Sequence, residues 1–410
     1  MQYESISLPN GLRIIYIPSI SPVSYCGFAV NAGTRDENPH QFGLAHFVEH
    51  MLFKGTRKRK SWHILNRMES VGGELNAYTT KEETFIYSIS LSEDIERAME
   101  LLGDLVFNSQ FPETEIEKEK EVVIDEINSY KDNPSELIFD EFENVLFQGN
   151  EMGHNILGEE ESINNFTASS CHSFVNTYYT PENMIFFFYG KTSKEKINRL
   201  ALKYFIENSK VKNNFTAKTR QSLPSLPSAF RETADKKLYQ SHVMLGGISY
   251  DYHNKKRLGL YLLNNILGGP GMNSRLNISL REKNGLVYTV ESSLSSYSDT
   301  GVFSIYFGTD HESISKCLKL TYKELKKLRE NQLSSSQFHA VVKQLKGQLG
   351  ISCDHKENLA LNMGKSFLHF KKYDNLQEVY RKIDLLDPQQ LMEIANEVFD
   401  EKRLSLLIFT

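Results

Sequence analysis

The chain lacks the features that mark secreted, membrane-spanning and nucleic-acid-binding proteins. Its four cysteines, Cys26, Cys171, Cys317 and Cys353, are scattered and form no C-x-x-C pair. That spacing excludes a disulfide framework and a thiolate metal site, and reads as free thiols in a reducing compartment. No run approaches the ~20 apolar residues that a helix needs to cross a bilayer. The start, Met1-Gln2-Tyr3-Glu4-Ser5, has neither the positive charges nor the apolar stretch of a signal peptide. Cytoplasmic residence is therefore expected, with no membrane partner. Neither sign of charge dominates: 47 Lys and Arg stand against 52 Asp and Glu, a net charge of −5. The one basic cluster, Arg57-Lys58-Arg59-Lys60, is short enough to be a solvated loop, and no nucleic-acid partner is expected.

What is present is a globular composition, 40% hydrophobic and 24% charged, over 410 residues. That length is too great for one ordinary core and predicts two domains. In the first half, strands are predicted at Leu12 to Ile17, Tyr25 to Asn31, Glu74 to Thr79, Thr84 to Leu91 and Met184 to Tyr189, with helices between them in irregular alternation. From Val211 to Phe230 the composition turns to Asn, Ser, Thr, Lys and Pro, which reads as a linker. Beyond it the order of elements repeats. His242 to Tyr250, a helix from Lys256 to Leu267, and the pair Tyr288 to Leu294 and Gly301 to Thr309 match their counterparts in the first half. The expected fold class is α+β: two homologous domains, 1–210 and 231–410, each a mixed or antiparallel sheet with helices packed on it.

The chemistry gathers in Leu44-Ala45-His46-Phe47-Val48-Glu49-His50-Met51-Leu52-Phe53. At ~100° per residue on a helix, His46 and His50 lie one turn apart with Glu49 in the same sector. Two imidazoles so spaced can each give one nitrogen to Zn²⁺, and the carboxylate beside them can accept the proton of a metal-bound water. This is the H-x-x-E-H pattern, the inverse of H-E-x-x-H. The rest of the helix is apolar, so these three polar side chains need partners there. A third ligand is available on a charged helix from Pro112 to Lys131, where Glu119 and Glu126 stand two turns apart on one face. Glu126 is assigned as ligand and Glu119 as the acceptor that orients a ligating histidine. A solvated acidic face is the ordinary alternative for such a run.

The string His46 to Thr56, followed by Glu119-Lys120-Glu121-Val122-Val123-Ile124-Asp125-Glu126-Ile127, resembles the pitrilysin family of inverted zincins. It is most similar to the mitochondrial processing peptidase branch and its bacterial relatives. The resemblance implies His46, His50 and Glu126 as zinc ligands, Glu49 as general base and Glu119 as the supporting carboxylate. It further implies that Arg281 and Tyr288, from the half without zinc, hold the peptide carbonyl or its oxyanion. The glycine-rich stretch Gly268 to Gly271 then resembles a substrate-recognition loop, here interrupted by Pro270. By the same resemblance, Asn76, Ala77 and Tyr78 belong to an edge strand onto which an extended peptide adds. Phe53 lines the pocket just after the scissile bond, and Glu136 is a candidate contact for a basic residue before it.

In the second copy the helix that matches the His46 helix reads Leu260-Tyr261-Leu262-Leu263-Asn264-Asn265-Ile266-Leu267 and offers no ligands, so one Zn²⁺ per chain is expected. Family members work as chambers of four such domains. Two domains per chain then imply half of a clamshell, and a homodimer whose sites are completed across the interface. The expected function is a zinc metalloendopeptidase that cleaves unstructured peptides or presequence-like segments by zinc-activated water. The alternatives are a non-catalytic partner subunit, against which the complete motif counts, and a dedicated peptide-maturation protease.

Overall fold

The structure, a computed structural model, describes residues 3–206, 220 and 228–410. It divides into two compact units, each organised on one mixed sheet. The first unit holds β1 (Glu4–Ser7), β2 (Arg13–Pro18), β3 (Val23–Val30), β4 (Glu74–Thr79), β5 (Thr84–Leu91) and β6 (Met184–Gly190). Their order is β1-β2-β6-β3-β5-β4, with β2 and β6 parallel and the other neighbours antiparallel. The second unit holds β7 (Arg231–Ala234), β8 (Ser241–Ser249), β9 (Val287–Ser296), β10 (Gly301–Thr309) and β11 (Ser405–Phe409). Their order is β7-β11-β8-β10-β9, with β7 and β11 parallel. Without β1, the first sheet has the same strand order and the same parallel pair as the second. The repeat legible in the order of elements is thus a repeat of topology.

Both faces of each sheet are buried, which explains the unbroken apolar run in β6. Phe186 and Phe188 enter the core that contains Phe47, Met51 and Leu102. Ile185, Phe187 and Tyr189 point the other way, against Ala360, Met363 and Phe367 of the helix Lys356–Phe370. In the second unit, Val243 and Leu245 of β8 face the core around Leu263 and Phe303. Met244 faces Leu137, Ile138 and Phe142 of the helix Pro134–Leu146. Each such large side chain, once fully buried, contributes roughly 1.5–3 kcal/mol.

The compact units therefore differ from the contiguous division at 1–210 and 231–410. One consists of Met1–Asn128, Asn155–Arg220 and Ser352–Asn375; the other of Ser129–His154, Gln221–Ile351 and Leu376–Thr410. The cause is the second apolar face of each sheet, which is covered by a helix drawn from the other half of the sequence. The linker expected at 211–230 lies outside the described residues except for Arg220 and 228–230. Arg220 donates to Asp36 at 2.9 Å and to the Glu82 carbonyl at 2.9 Å.

Candidate metal centre

The helix Leu44–Leu52 begins at Gly43, whose φ of +94° is left-handed. A Cβ there would meet the Leu157 carbonyl oxygen at 2.6 Å, so the position requires glycine. The buried Glu37 carboxylate caps the helix by accepting from the Gly43 and Ala45 amides at 2.8 and 2.6 Å. Leu44, Phe47, Val48, Met51 and Leu52 enter the core and fix the rotation of the helix. His46, Glu49 and His50 are left on the remaining sector, with His46 and Glu49 each 8% exposed. The helix Glu113–Lys131 buries Ile116, Val123 and Ile127, and the same rotation presents Glu119 and Glu126 to the histidines.

One ligand atom from each of His46, His50 and Glu126 falls within 4.8 Å of the other two. His46 Nε2 is 3.8 Å from Glu126 Oε1, and His50 Nε2 is 3.6 Å from Glu126 Oε2. These gaps are too long for hydrogen bonds and suit three donors around a common point. The other nitrogen of His50, Nδ1, lies 2.9 Å from Glu119 Oε1. Glu119 Oε2 in turn pairs with Lys54 Nζ at 2.5 Å. Thr79 Oγ1 donates to Glu49 Oε2 at 2.5 Å.

The acidities follow from burial and from these partners. Burial, reinforced by the neighbouring His50, pushes the His46 pKa down to about 3, which keeps its imidazole neutral and a lone pair free. Burial also lowers His50, but the Glu119 hydrogen bond and the charges of Glu126, Glu119 and Glu49 outweigh it, and the net shift is upward. Glu49 is raised by burial, with Glu126 adding to the rise and Thr79 and His50 opposing it. Burial acts to raise Glu119, yet His50 and Lys54 together hold it below the usual carboxylate range. A neutral imidazole, a second imidazole oriented through its far nitrogen, and a carboxylate make a nitrogen-rich donor set that fits Zn²⁺.

The remaining residues singled out in the sequence fall in two places. Phe53 is the C-cap of the His46 helix and packs half-buried on the core of the first unit. Asn76, Ala77 and Tyr78 lie on β4, which ends the sheet and pairs only with β5 among the described residues. Ala77 faces the His46 helix side, and Tyr78 stacks on Phe85 on the other side, centroids 4.9 Å apart. Arg281, Tyr288 and Glu136 belong to the second unit. There the Arg281 guanidinium lies 5.7 Å from the ring centroid of Tyr288, which is 82% exposed. Both line a cleft of about 480 Å³ together with the loop Gly268 to Met272.

Sequence reasoning did not find Thr79, Lys54 or Glu37. Lys54 stands four residues after His50, a spacing that places it beside Glu119 and that was available to read. Thr79 had a weaker signal: period two along β4 puts it on the same face as Leu75 and Ala77, toward the helix that carries Glu49.

The family model described as Insulinase (Peptidase family M16) matches residues 13–160, and that described as Peptidase M16 inactive domain matches residues 165–345. A Bacillus subtilis protein named uncharacterized zinc protease YmxG is 31% identical over 97% of this chain and 96% of its own. An uncharacterized zinc protease of Rickettsia bellii is 33% identical over 98% of this chain and 96% of its own. Among solved structures, a protease from Helicobacter pylori has a TM-score of 0.94 at 21% identity, covering 100% of this chain and 99% of its own. A peptidase M16 inactive domain from Pseudomonas fluorescens has a TM-score of 0.91 at 20% identity, covering 100% of this chain and 98% of its own. Among the described residues no helix is long and apolar enough to cross a membrane. With family matches in both halves and relatives aligned over nearly its whole length, the chain belongs to peptidase family M16, the pitrilysin family of proteases.

Proposed function

We propose that the chain is a zinc-dependent metalloendopeptidase that cleaves extended, unstructured peptides, presequence-like segments among them. The observation that carries this reading is the convergence of His46, His50 and Glu126 with the buried Glu49 carboxylate beside them. His46, His50 and Glu126 would hold one zinc ion, which when bound acidifies a water molecule and polarises the scissile carbonyl. Glu49 takes up the proton released from water and later delivers it to the leaving amine. Its Oε2 is occupied by Thr79, so the proton is carried on Oε1. Glu119 holds the Nδ1 proton of His50 and fixes that ring.

The outer edge of β4, unpaired among the described residues, offers an extended peptide a strand to pair with, through Asn76, Ala77 and Tyr78. Phe53 favours a bulky apolar residue after the cut, and Glu136 a basic one before it. Arg281 and Tyr288 serve the peptide carbonyl. In the second half the helix Arg257–Gly268 has no metal-ligating side chain at the corresponding positions, so each chain holds one ion. The working form is a homodimer enclosing a chamber, with each site completed by the second half of the other copy. Four free cysteines suit a reducing cytoplasm.

The test is hydrolysis of a quenched, unstructured peptide by the purified chain alone, with chelator, with zinc restored, and with Glu49→Gln. Cleavage that is lost to chelator, regained with zinc and lower by roughly 10²–10⁴-fold in Glu49→Gln is the expected result. A folded, zinc-loaded chain that leaves the peptide intact would overturn the reading.

A further inference from the structure

The second unit carries a basic cleft, separate from the one beside Arg281, that the peptidase reading does not use. It encloses about 480 Å³, and its wall includes Arg275, Lys283, Lys323 and Lys327 against a single carboxylate, Glu324. Two stretches of sequence assemble it. The helix Ile314–Glu330 presents Lys323, Glu324 and Lys327 along one face at helical spacing. The helical turn Asn277–Glu282 runs between Arg275 and Lys283, and the chain then reverses at Gly285, whose φ is +59°.

The pairing of these charges is lopsided. Glu324 is buried and already accepts from Lys327 at 2.7 Å. Arg275 is half-buried, yet among the described residues its guanidinium makes no hydrogen bond and has no carboxylate within 4.0 Å. Burial lowers its pKa, and the charge of Glu324 offsets that only in part. The side chains of Lys283 and Lys323 have no partner among the described residues either. Three unpaired cations that share a concave wall repel one another, and a half-buried unpaired guanidinium costs stability. The whole chain meanwhile carries a net charge of −5, so the local surplus runs against its average. A ligand that supplied the missing negative charge would relieve both costs.

The geometry points to a binding site for a compact polyphosphate anion in the Arg275–Lys283–Lys323 cleft. The planar fork of an arginine suits phosphate oxygens, and lysines add point charges around it. A volume of about 480 Å³ is that of a small-molecule site and not of a flat nucleic-acid surface. Three uncompensated cations match two or three linked phosphates better than a single carboxylate.

The probe is inorganic tripolyphosphate titrated calorimetrically into the zinc-loaded chain at low ionic strength. Saturable one-to-one binding that weakens as salt rises is expected. Arg275→Gln should weaken it about tenfold, the loss of one charge-assisted contact. Lys323→Gln, on the exposed helix face, should weaken it similarly and guards against misfolding of the arginine variant. Lys326→Gln, outside the cleft and paired with Glu330, should bind as the parent does. Absence of saturable heat overturns the proposal. So does unchanged binding in both cleft variants, as chelation of the metal elsewhere would give. Equal weakening by Lys326→Gln, or citrate binding as tightly as tripolyphosphate, overturns it as well.

Discussion

Thr79 Oγ1 donates a 2.5 Å hydrogen bond to Glu49 Oε2, and so ties the last residue of the edge strand β4 to the carboxylate beside His50. The bond occupies one carboxylate oxygen, Oε2, and leaves Oε1 as the second acceptor. Because the donor sits on the strand proposed to receive the peptide, substrate pairing and the aim of Glu49 share one rigid element.

Thr79→Val removes the donor while keeping the shape of the side chain. The expected outcome is a fall in kcat of about 10–100-fold, the size typical of losing a residue that orients a site group. KM and zinc content should stay near the parent values, and Thr79→Ser should restore most of the rate. A rise in KM with kcat preserved would mean that Thr79 serves β4 and not Glu49.

Glu119 is a second orienting group, with a different readout. It accepts at His50 Nδ1 and is itself held by Lys54. Glu119→Ala frees the ring and leaves the lysine without its partner. Zinc affinity, measured by competition with a chromophoric chelator and so independently of turnover, should fall by about 10–100-fold. Lys54→Ala should cost less, because the His50 contact survives it. An unchanged zinc affinity in Glu119→Ala would refute the orienting role.

The residues that meet through helical periodicity were legible, because 3.6 residues per turn fixes their geometry without tertiary information. His46, Glu49 and His50 converge on that basis, and Glu119 and Glu126 align seven apart on theirs. The internal repeat was legible too, since a sheet built twice needs the same elements in the same order. Two things were not. Period two along β4 turns Thr79 toward the helix of Glu49, but no local pattern sets where along the strand these residues, thirty positions apart, meet. The exchange of Pro134–Leu146 and Lys356–Phe370 between the two halves of the sequence was hidden because an amphipathic helix advertises that it covers a sheet, not which sheet.

The exchanged helix Lys356–Phe370 makes a further prediction, about stability. It brings Lys365 and His369 onto Glu83, a carboxylate 1% exposed in the turn between β4 and β5; His369 Nε2 is 2.5 Å from Glu83 Oε2. Burial would raise the Glu83 pKa, but the bond to His369, the charges of Lys365 and His369 and the bond to Lys365 reverse this, and the net shift is downward. A folded-state pKa below the unfolded value adds stability that is present above the unfolded value, about 4.3 for Glu. That stability is lost as pH falls through the folded value. Glu83→Gln should therefore destabilise the chain by about 3 kcal/mol near neutral pH, as breaking a buried pair does. The gap between parent and variant in denaturant midpoint should narrow as pH drops below about 4. A gap independent of pH would show that the ion pairs do not carry the effect.

The homodimer gives the last prediction. Glu49 and Arg281 lie in different compact units of one chain. If each site takes its arginine from the other copy, a mixed dimer of Glu49→Gln and Arg281→Ala chains contains one site with both defects and one with neither. Each variant alone should be nearly inactive, since every site in it lacks one group. Subunit exchange at equal concentrations yields half mixed dimers, each with one intact site, so activity should return to about a quarter of the parent value. Tags on the two chains verify that mixed dimers have formed. If they form and no activity returns, Arg281 acts within its own chain, and the sharing of sites between copies is refuted while the peptidase assignment stands.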